Sequence, residues 1–137
     1  MRYLGLDLGT KSLGVALSDK LGLVASFYKN INYNDEEKLI EEVKQIIIKE
    51  NVEKIVLGLP KNMNNSLGER ATSTIEFKEK LEKETNKEVI LEDERLTTKV
   101  AESILIQADL SRKKRKKVID GLSAVVILQS YLDRKEK

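Results

Sequence analysis

The chain contains no histidine and no cysteine among its 137 residues. Without histidine it has no imidazole general base and no Ser-His-Asp triad; without cysteine it has no thiolate nucleophile, disulfide framework or thiolate zinc site. Hydrolytic chemistry in such a chain must rest on carboxylates, lysine, hydroxyls or a metal held by oxygen ligands, which suit magnesium or manganese better than zinc or copper. Long apolar runs are also missing. Ile46 to Ile48 and Val125 to Leu128 are short, and the opening MRYLGLDLG is not a basic segment followed by an apolar core. The expectation is a soluble, cytoplasmic protein without a membrane partner. The length suits one domain, residues 1–137, large enough to bury about two thirds of its unfolded-chain surface.

The formal charge of +2 conceals an uneven distribution: residues 111–137 carry nine basic and three acidic side chains, and the first 110 carry sixteen and twenty. Most of the excess is one run, Arg112, Lys113, Lys114, Arg115, Lys116 and Lys117, directly before a helical apolar pattern that begins at Val118. Such a run is ordinarily a solvated face or tail. At a helix start, however, cations oppose the macrodipole and repel one another by a few tenths of a kcal/mol each. A polyanion relieves that repulsion and releases counterions as its phosphates are neutralised.

Residues Arg2 to Leu8 and Ser12 to Ser18 alternate as two strands around the hairpin-length turn Gly9-Thr10-Lys11, and Leu21 to Tyr28 would complete an antiparallel meander. Leu39, Ile40, Val43, Ile46 and Ile47 then recur at helical spacing, giving a helix over about 35–50 with Asn34 and Glu37 as its cap. Glu53 to Leu59 reads as a buried strand. Ser66 with Glu69 forms a capping box for a second helix, whose Ala71, Ile75, Phe77 or the Lys78 stem, and Leu81 face the sheet. Glu88 to Leu91 is a fifth strand, and helices at about 98–109 and 114–132 finish the chain. This order is an α/β layered sheet, and with strand one central beside strand four it is the ribonuclease H-like topology.

Asp7 lies inside an otherwise apolar strand, where a carboxylate must be paired, protonated or bound to a cation. It shares a face with Gly5, which leaves room beside it; the alternative is a cap for the Gly9-Thr10 turn. Asp120 repeats the oddity in the last helix among Val118, Ile119, Leu122 and Val125. Ser123 and Ala124 on its row are small enough for close approach to the sheet, although an acid near a helix start is also favoured by the dipole. The third candidate is Glu94 or its neighbour Asp93, between which parity does not choose. Three carboxylates converging from separate elements repel unless divalent cations lie between them, which is the arrangement for two-metal phosphodiester hydrolysis. Arg70 and Arg95 sit in the adjoining motif segments and suit bidentate phosphate contact, or ion pairs with Glu69 or Glu94. Lys11 in the hairpin turn and the run Arg112, Lys113, Lys114, Lys116 and Lys117 are the further candidate substrate contacts.

The segments DLGTKSLGVALSD (Asp7 to Asp19), GLPKNMNNSLGERA (Gly58 to Ala71), EDERLTT (Glu92 to Thr98) and IDGLSAVVILQSYL (Ile119 to Leu132) resemble, in order and over nearly the whole chain, the four motifs of the YqgF/RuvX family. That family is described as Holliday junction resolvases and as the pre-16S ribosomal RNA nuclease. The resemblance implies an RNase H-like fold with a mixed five-stranded sheet, an antiparallel β1-β2-β3 meander and helices on both faces. It further implies a cytoplasmic endonuclease dependent on Mg2+ or Mn2+ and acting in 5′ maturation of 16S rRNA during ribosome biogenesis, with pre-ribosomal particles as partners. The family's acids fall on Asp7, Glu94 and Asp120. Related RuvC resolvases place their second acid at the end of strand four, where this chain has Gly58-Leu59-Pro60. Branched DNA is the alternative substrate. DLGTKS also resembles the phosphate hairpin of the actin and sugar-kinase ATPases, but those enzymes need two such domains. A non-catalytic RNA-binding assembly factor is the third class, for which the basic run would suffice.

Overall fold

A computed structural model of the chain describes residues 1–60, 68–93 and 112–135, and for residue 69 and residues 112–121 it describes the backbone alone. In chain order the elements are β1 (Tyr3–Leu8), β2 (Ser12–Ser18), β3 (Ala25–Asn32), α1 (Glu36–Glu50), β4 (Lys54–Leu59), α2 (Glu69–Thr85), β5 (Glu88–Asp93) and α3 (Arg112–Lys135). The sheet order is β3-β2-β1-β4-β5, antiparallel through β1, β2 and β3 and parallel through β1, β4 and β5. Strand one is therefore central beside strand four, as the element order implies.

Strand alternation divides the core in two. Leu4 and Leu6 of β1, Leu13 and Val15 of β2, and Ile55 and Leu57 of β4 face Leu39, Val43, Ile46 and Ile47 of α1 and Phe77 and Leu81 of α2. On the other face Tyr3, Ala16 and Val56 meet Ala124, Ile127, Leu128 and Leu132 of α3. Each helix thus buries one stripe, the expected outcome of a 3.6-residue period against a 2-residue period. Among the described residues no helix is long and apolar enough to cross a membrane.

Several boundaries differ from the sequence reading. The third strand begins at Ala25 rather than Leu21 and runs to Asn32. The Asp19 carboxylate accepts hydrogen bonds from the Leu23 and Val24 amides at 2.8 and 3.1 Å, and Gly22 turns at φ 71°. This closes residues 19–24 into a turn and leaves Leu21 75% exposed despite its strand-like side chain. The same two amides hold the Asp19 carboxyl below its ordinary pKa, with Val24 contributing most. The cap of α1 is Asp35, not Asn34, and it accepts from the Glu37 amide at 2.9 Å. The cap of α2 is Gly68, with no side-chain hydrogen bond; Ser66 lies outside the described residues. Thr74 joins Ala71, Phe77 and Leu81 on the buried stripe of α2, and Ile75 is half-buried. β5 extends two residues further, to Asp93, and the last helix covers Arg112–Lys135 rather than 114–132. The helix expected at 98–109 lies outside the described residues.

The space beside Gly5 is not open, contrary to the sequence reading. A Cβ at Gly5 would lie 2.6 Å from Leu128 Cβ and 3.1 Å from the Ala124 carbonyl oxygen. The α3 backbone occupies that space, and neither a Cβ nor a carbonyl can rotate away. Gly5→Ala should therefore destabilise the fold by about 1–3 kcal/mol, the usual cost of overpacking. Urea unfolding checks this, and an unchanged midpoint would contradict the close approach.

Candidate active site

The parallel strands β1, β4 and β5 all end on one edge of the sheet, and Asp7 lies there, half-buried, one residue before the end of β1. Its β2 partner is Gly14. The next in-register position on β4, after the Leu6–Leu57 pair, is Gly58, which itself pairs with Glu92 of β5. Asp7 is thus flanked on both neighbouring strands by residues without side chains. The room that the sequence reading assigned to Gly5 comes instead from Gly14 and Gly58.

Helix α3 crosses this face antiparallel to β1. Tyr131 packs against Tyr3 with ring centroids 5.8 Å apart, and Leu128 and Ala124 lie on Gly5. One turn before Ala124 is Asp120. Four helical residues advance about 6 Å and two strand residues about 7 Å, so from Gly5 both chains run toward the same sheet edge, with Asp7 on β1 and Asp120 on the α3 backbone. The Asp120 side chain lies outside the described residues, as do Glu94 and Arg95.

The two acids at the end of β5 face opposite ways. Asp93 follows the alternation of Val89 and Leu91, which pack toward α1 and α2, away from the face of Asp7. Glu92 shares the face of Asp7 and is only 8% exposed, and it accepts a 2.8 Å ion-paired hydrogen bond from Arg134 Nη2 near the end of α3. Among the described residues no three acids are grouped as a metal-binding cluster; of the three expected ligands, the described side chains include only Asp7.

The basic candidates divide similarly. The run Arg112, Lys113, Lys114, Arg115, Lys116 and Lys117 forms the first turns of α3, the end that approaches the Asp7 edge. Lys11 is exposed in the hairpin turn. Arg70, in the first turn of α2, donates from Nη2 to the Leu8 carbonyl at 3.3 Å, so its described partner is the backbone next to Asp7.

Tyr33 is a site residue the sequence reading missed. Its hydroxyl donates to the Gly9 carbonyl at 2.8 Å and its amide to the Lys11 carbonyl at 2.9 Å, while the Gly9 amide closes the turn onto Ser12 at 2.7 Å. With Arg70 on Leu8, the segment that follows Asp7 is gripped by the residue just after β3 and by α2. Burial, and then the charge of Glu36, push the Tyr33 phenol above its ordinary pKa. Only a long-range contact reveals this residue, since nothing in the local pattern marks Tyr33.

The sequence model of the RuvX family, described as Holliday junction resolvase, matches residues 1–134. A protein of Listeria monocytogenes serotype 4b (strain CLIP80459) named "Putative pre-16S rRNA nuclease" is 53% identical over 135 residues, covering 97% of this chain and 98% of that protein. One of the same name from Geobacillus sp. (strain WCH70) is 54% identical over 138 residues, covering 99% and 100%. Among solved structures, Thermus thermophilus RuvC in complex with a Holliday junction substrate superposes with a TM-score of 0.62 at 13% identity over 99% of this chain and 96% of that one. Fowlpox virus resolvase with Holliday junction DNA gives 0.61 at 17% identity, with both chains fully covered. At these identities the likeness is one of fold, and the fold is RNase H-like.

Replacing Tyr33 by Phe removes one hydroxyl and leaves the ring in place. The expected loss is about 0.5–1.5 kcal/mol in urea unfolding. Because the phenol is raised in the folded state, its contribution is fully present below the unfolded pKa and fades only as pH climbs through the folded one. The difference between wild type and Tyr33→Phe should thus be constant from about pH 6 to about 9 and shrink above about 10.

Proposed function

Because this chain belongs to the RuvX family, we propose that it is a divalent-metal-dependent endonuclease acting on structured nucleic acid, with the 5′ region of precursor 16S rRNA as its substrate in ribosome biogenesis. The observation that supports this reading is the placement of Asp7 between two glycines on the sheet face that α3 covers, with Asp120 one helical turn nearer that edge than Ala124. The RNA rather than branched DNA is favoured by identity: relatives named for the rRNA reaction share 53–54% of residues, and the junction-bound resolvases 13–17%.

The donor set fits Mg2+ or Mn2+, since every candidate ligand is a carboxylate oxygen and the positions flanking Asp7 carry no side chain. Asp7, Asp120 and Glu94 would hold the ions; Asp93 is disfavoured because it faces the other side of the sheet. When bound, the ions supply a nucleophile at neutral pH and offset the charge developing on the phosphate. The protein's own part is positioning. Asp7 is fixed by the strand ladder and by the turn that Tyr33 and Arg70 grip, and Asp120 by the seating of α3 on Gly5. Arg112, Lys113, Lys114, Lys116 and Lys117 would hold backbone phosphates beside the acids, where a polyanion relieves the repulsion of cations by the helix dipole. Lys11, in the hairpin turn at that edge, and Arg95 would add phosphate contacts. A pre-ribosomal particle in the cytoplasm is the setting in which such a substrate occurs.

Asp7→Asn should reduce Mg2+-dependent cleavage of an end-labelled precursor RNA by more than about a hundredfold, beyond what removal of a group supporting a ligand costs, while binding is retained. Cleavage that survives this change would remove the endonuclease reading and leave a binding factor. Replacing Lys113, Lys114, Lys116 and Lys117 by Gln should weaken binding and lower the slope of log affinity against log salt by about 0.9 for each duplex phosphate that is no longer neutralised. Turnover at saturating RNA should change far less. An unaltered slope would make the run a solvated surface.

A further inference from the structure

Asp7 and Leu8 point to opposite faces of the sheet, and on the Leu8 side the edge holds a cleft of about 350 Å³. It lies between the Gly9-Thr10 turn, Tyr33 and the first turns of α1 and α2, with Thr10, Arg70, Ser73 and Thr74 among its walls. Asp7, the described acid among those expected to hold metal, belongs to the α3 side, and the hairpin turn is the ridge between the two. We propose that this cleft binds a backbone phosphate flanking the scissile one, so that the substrate strand crosses the sheet edge over Gly9-Thr10 from the α3 side to the α2 side. The proposal rests on the endonuclease reading and adds to it a second subsite and the strand's path.

Three features suit the cleft to a phosphate. The Arg70 guanidinium is exposed and, among the described residues, donates to the Leu8 carbonyl, which places a planar fork at the cleft wall. Hydroxyls of Thr10 and Ser73 line the same space, whereas the Thr74 hydroxyl is committed to the Arg70 carbonyl at 2.8 Å and so stiffens the segment that carries the guanidinium. Glu36, the acid on the wall among the described residues, is ion-paired with Lys80 at 3.1 Å, which offsets its repulsion of an anion. Tyr33 fixes the ridge itself through Gly9 and Lys11. An anion in the cleft and a phosphate at the acids would thus be held on either side of a turn that is gripped by both Tyr33 and α2.

The experiment is a charge scan. A labelled stem-loop RNA carrying the precursor 5′ segment is first cut by wild-type protein to map the scissile bond. Copies are then made with a single uncharged methylphosphonate linkage, on a 2′-O-methyl nucleotide, at each position along the precursor 5′ segment, alongside 2′-O-methyl phosphate controls, so that the scan does not depend on where, or whether, the RNA is cut. Binding is measured in the Asp7→Asn background, with and without Arg70→Ala. One flanking position should weaken binding about tenfold when neutralised with Arg70 present and less than about twofold with Arg70→Ala, the signature of a charge-assisted pair. Arg70→Lys should restore part of that coupling, and Thr10→Val should reduce it. If each neutral linkage costs the same with and without Arg70, the guanidinium supplies only general positive charge and the subsite is overturned. Failure of wild type to cut the unmodified RNA would instead sink the endonuclease reading; the coupling is read from binding and is judged separately.

Discussion

The absence of a side chain at Gly5 is the constraint on which the site depends. A helix can lie with its own carbonyl 3.1 Å from the place a Cβ would occupy only if that Cβ is missing. Ala16 on β2 and Ala124 on α3, both fully buried, continue the small-residue lane. Close packing of this kind leaves no slack to absorb a shift, so the height of α3 over β1 is set by backbone contact rather than by adaptable side chains. Three further ties hold the helix along its C-terminal half. Gln129 accepts from the Ala25 amide at 2.8 Å and donates to the Leu23 carbonyl at 2.9 Å, Tyr131 packs on Tyr3, and Arg134 reaches Glu92. The helix is therefore anchored at the end away from Asp7, and its basic first turns extend over the edge where the parallel strands finish.

That arrangement explains a charge pattern that is poor for stability alone. Six consecutive basic residues at a helix start oppose the dipole. The helix start that carries them runs toward the edge that also holds the hairpin turn and Arg70, and on the proposed reading an extended anion there would offset the repulsion.

Asp7 was legible because a carboxylate in an apolar strand is anomalous, and the sheet order because hairpin and crossover elements are distinguished by their periods. The core stripes of α1 and α2 were legible for the same reason. What local pattern could not supply was anything decided across the chain. Leu21, Leu23 and Val24 look like strand residues, but the Asp19 carboxylate takes two of their amides and delays β3 to Ala25. Gly68 caps α2 and Glu69, expected at the third helical position, is instead its first residue. Gly5 reads equally well as open space or close approach until α3 is placed. Tyr33 and Glu92 act through partners 24 and 42 residues away. The facing of Asp93 likewise needed the sheet: parity pairs Asp93 with Val89 and Leu91, but only the helices covering each face reveal that this is the side away from Asp7.

The row across the sheet at Asp7 also accounts for the departure from the RuvC pattern. Asp7, Gly58 and Glu92 occupy successive strands at one level and face α3. Adjacent strands lie about 4.8 Å apart, so an acid at position 58 would put three carboxylates in a line, each next to another, in a half-buried setting where unscreened repulsion costs several kcal/mol. With Gly58 in the middle, the two carboxylates of the row are separated by a strand, and Glu92 is neutralised by Arg134 rather than directed at Asp7. On the proposed reading, the ligands that would complete a metal site around Asp7 lie outside the row, and Asp120 in α3 and Glu94, the residue after β5, are the sequence positions proposed for them.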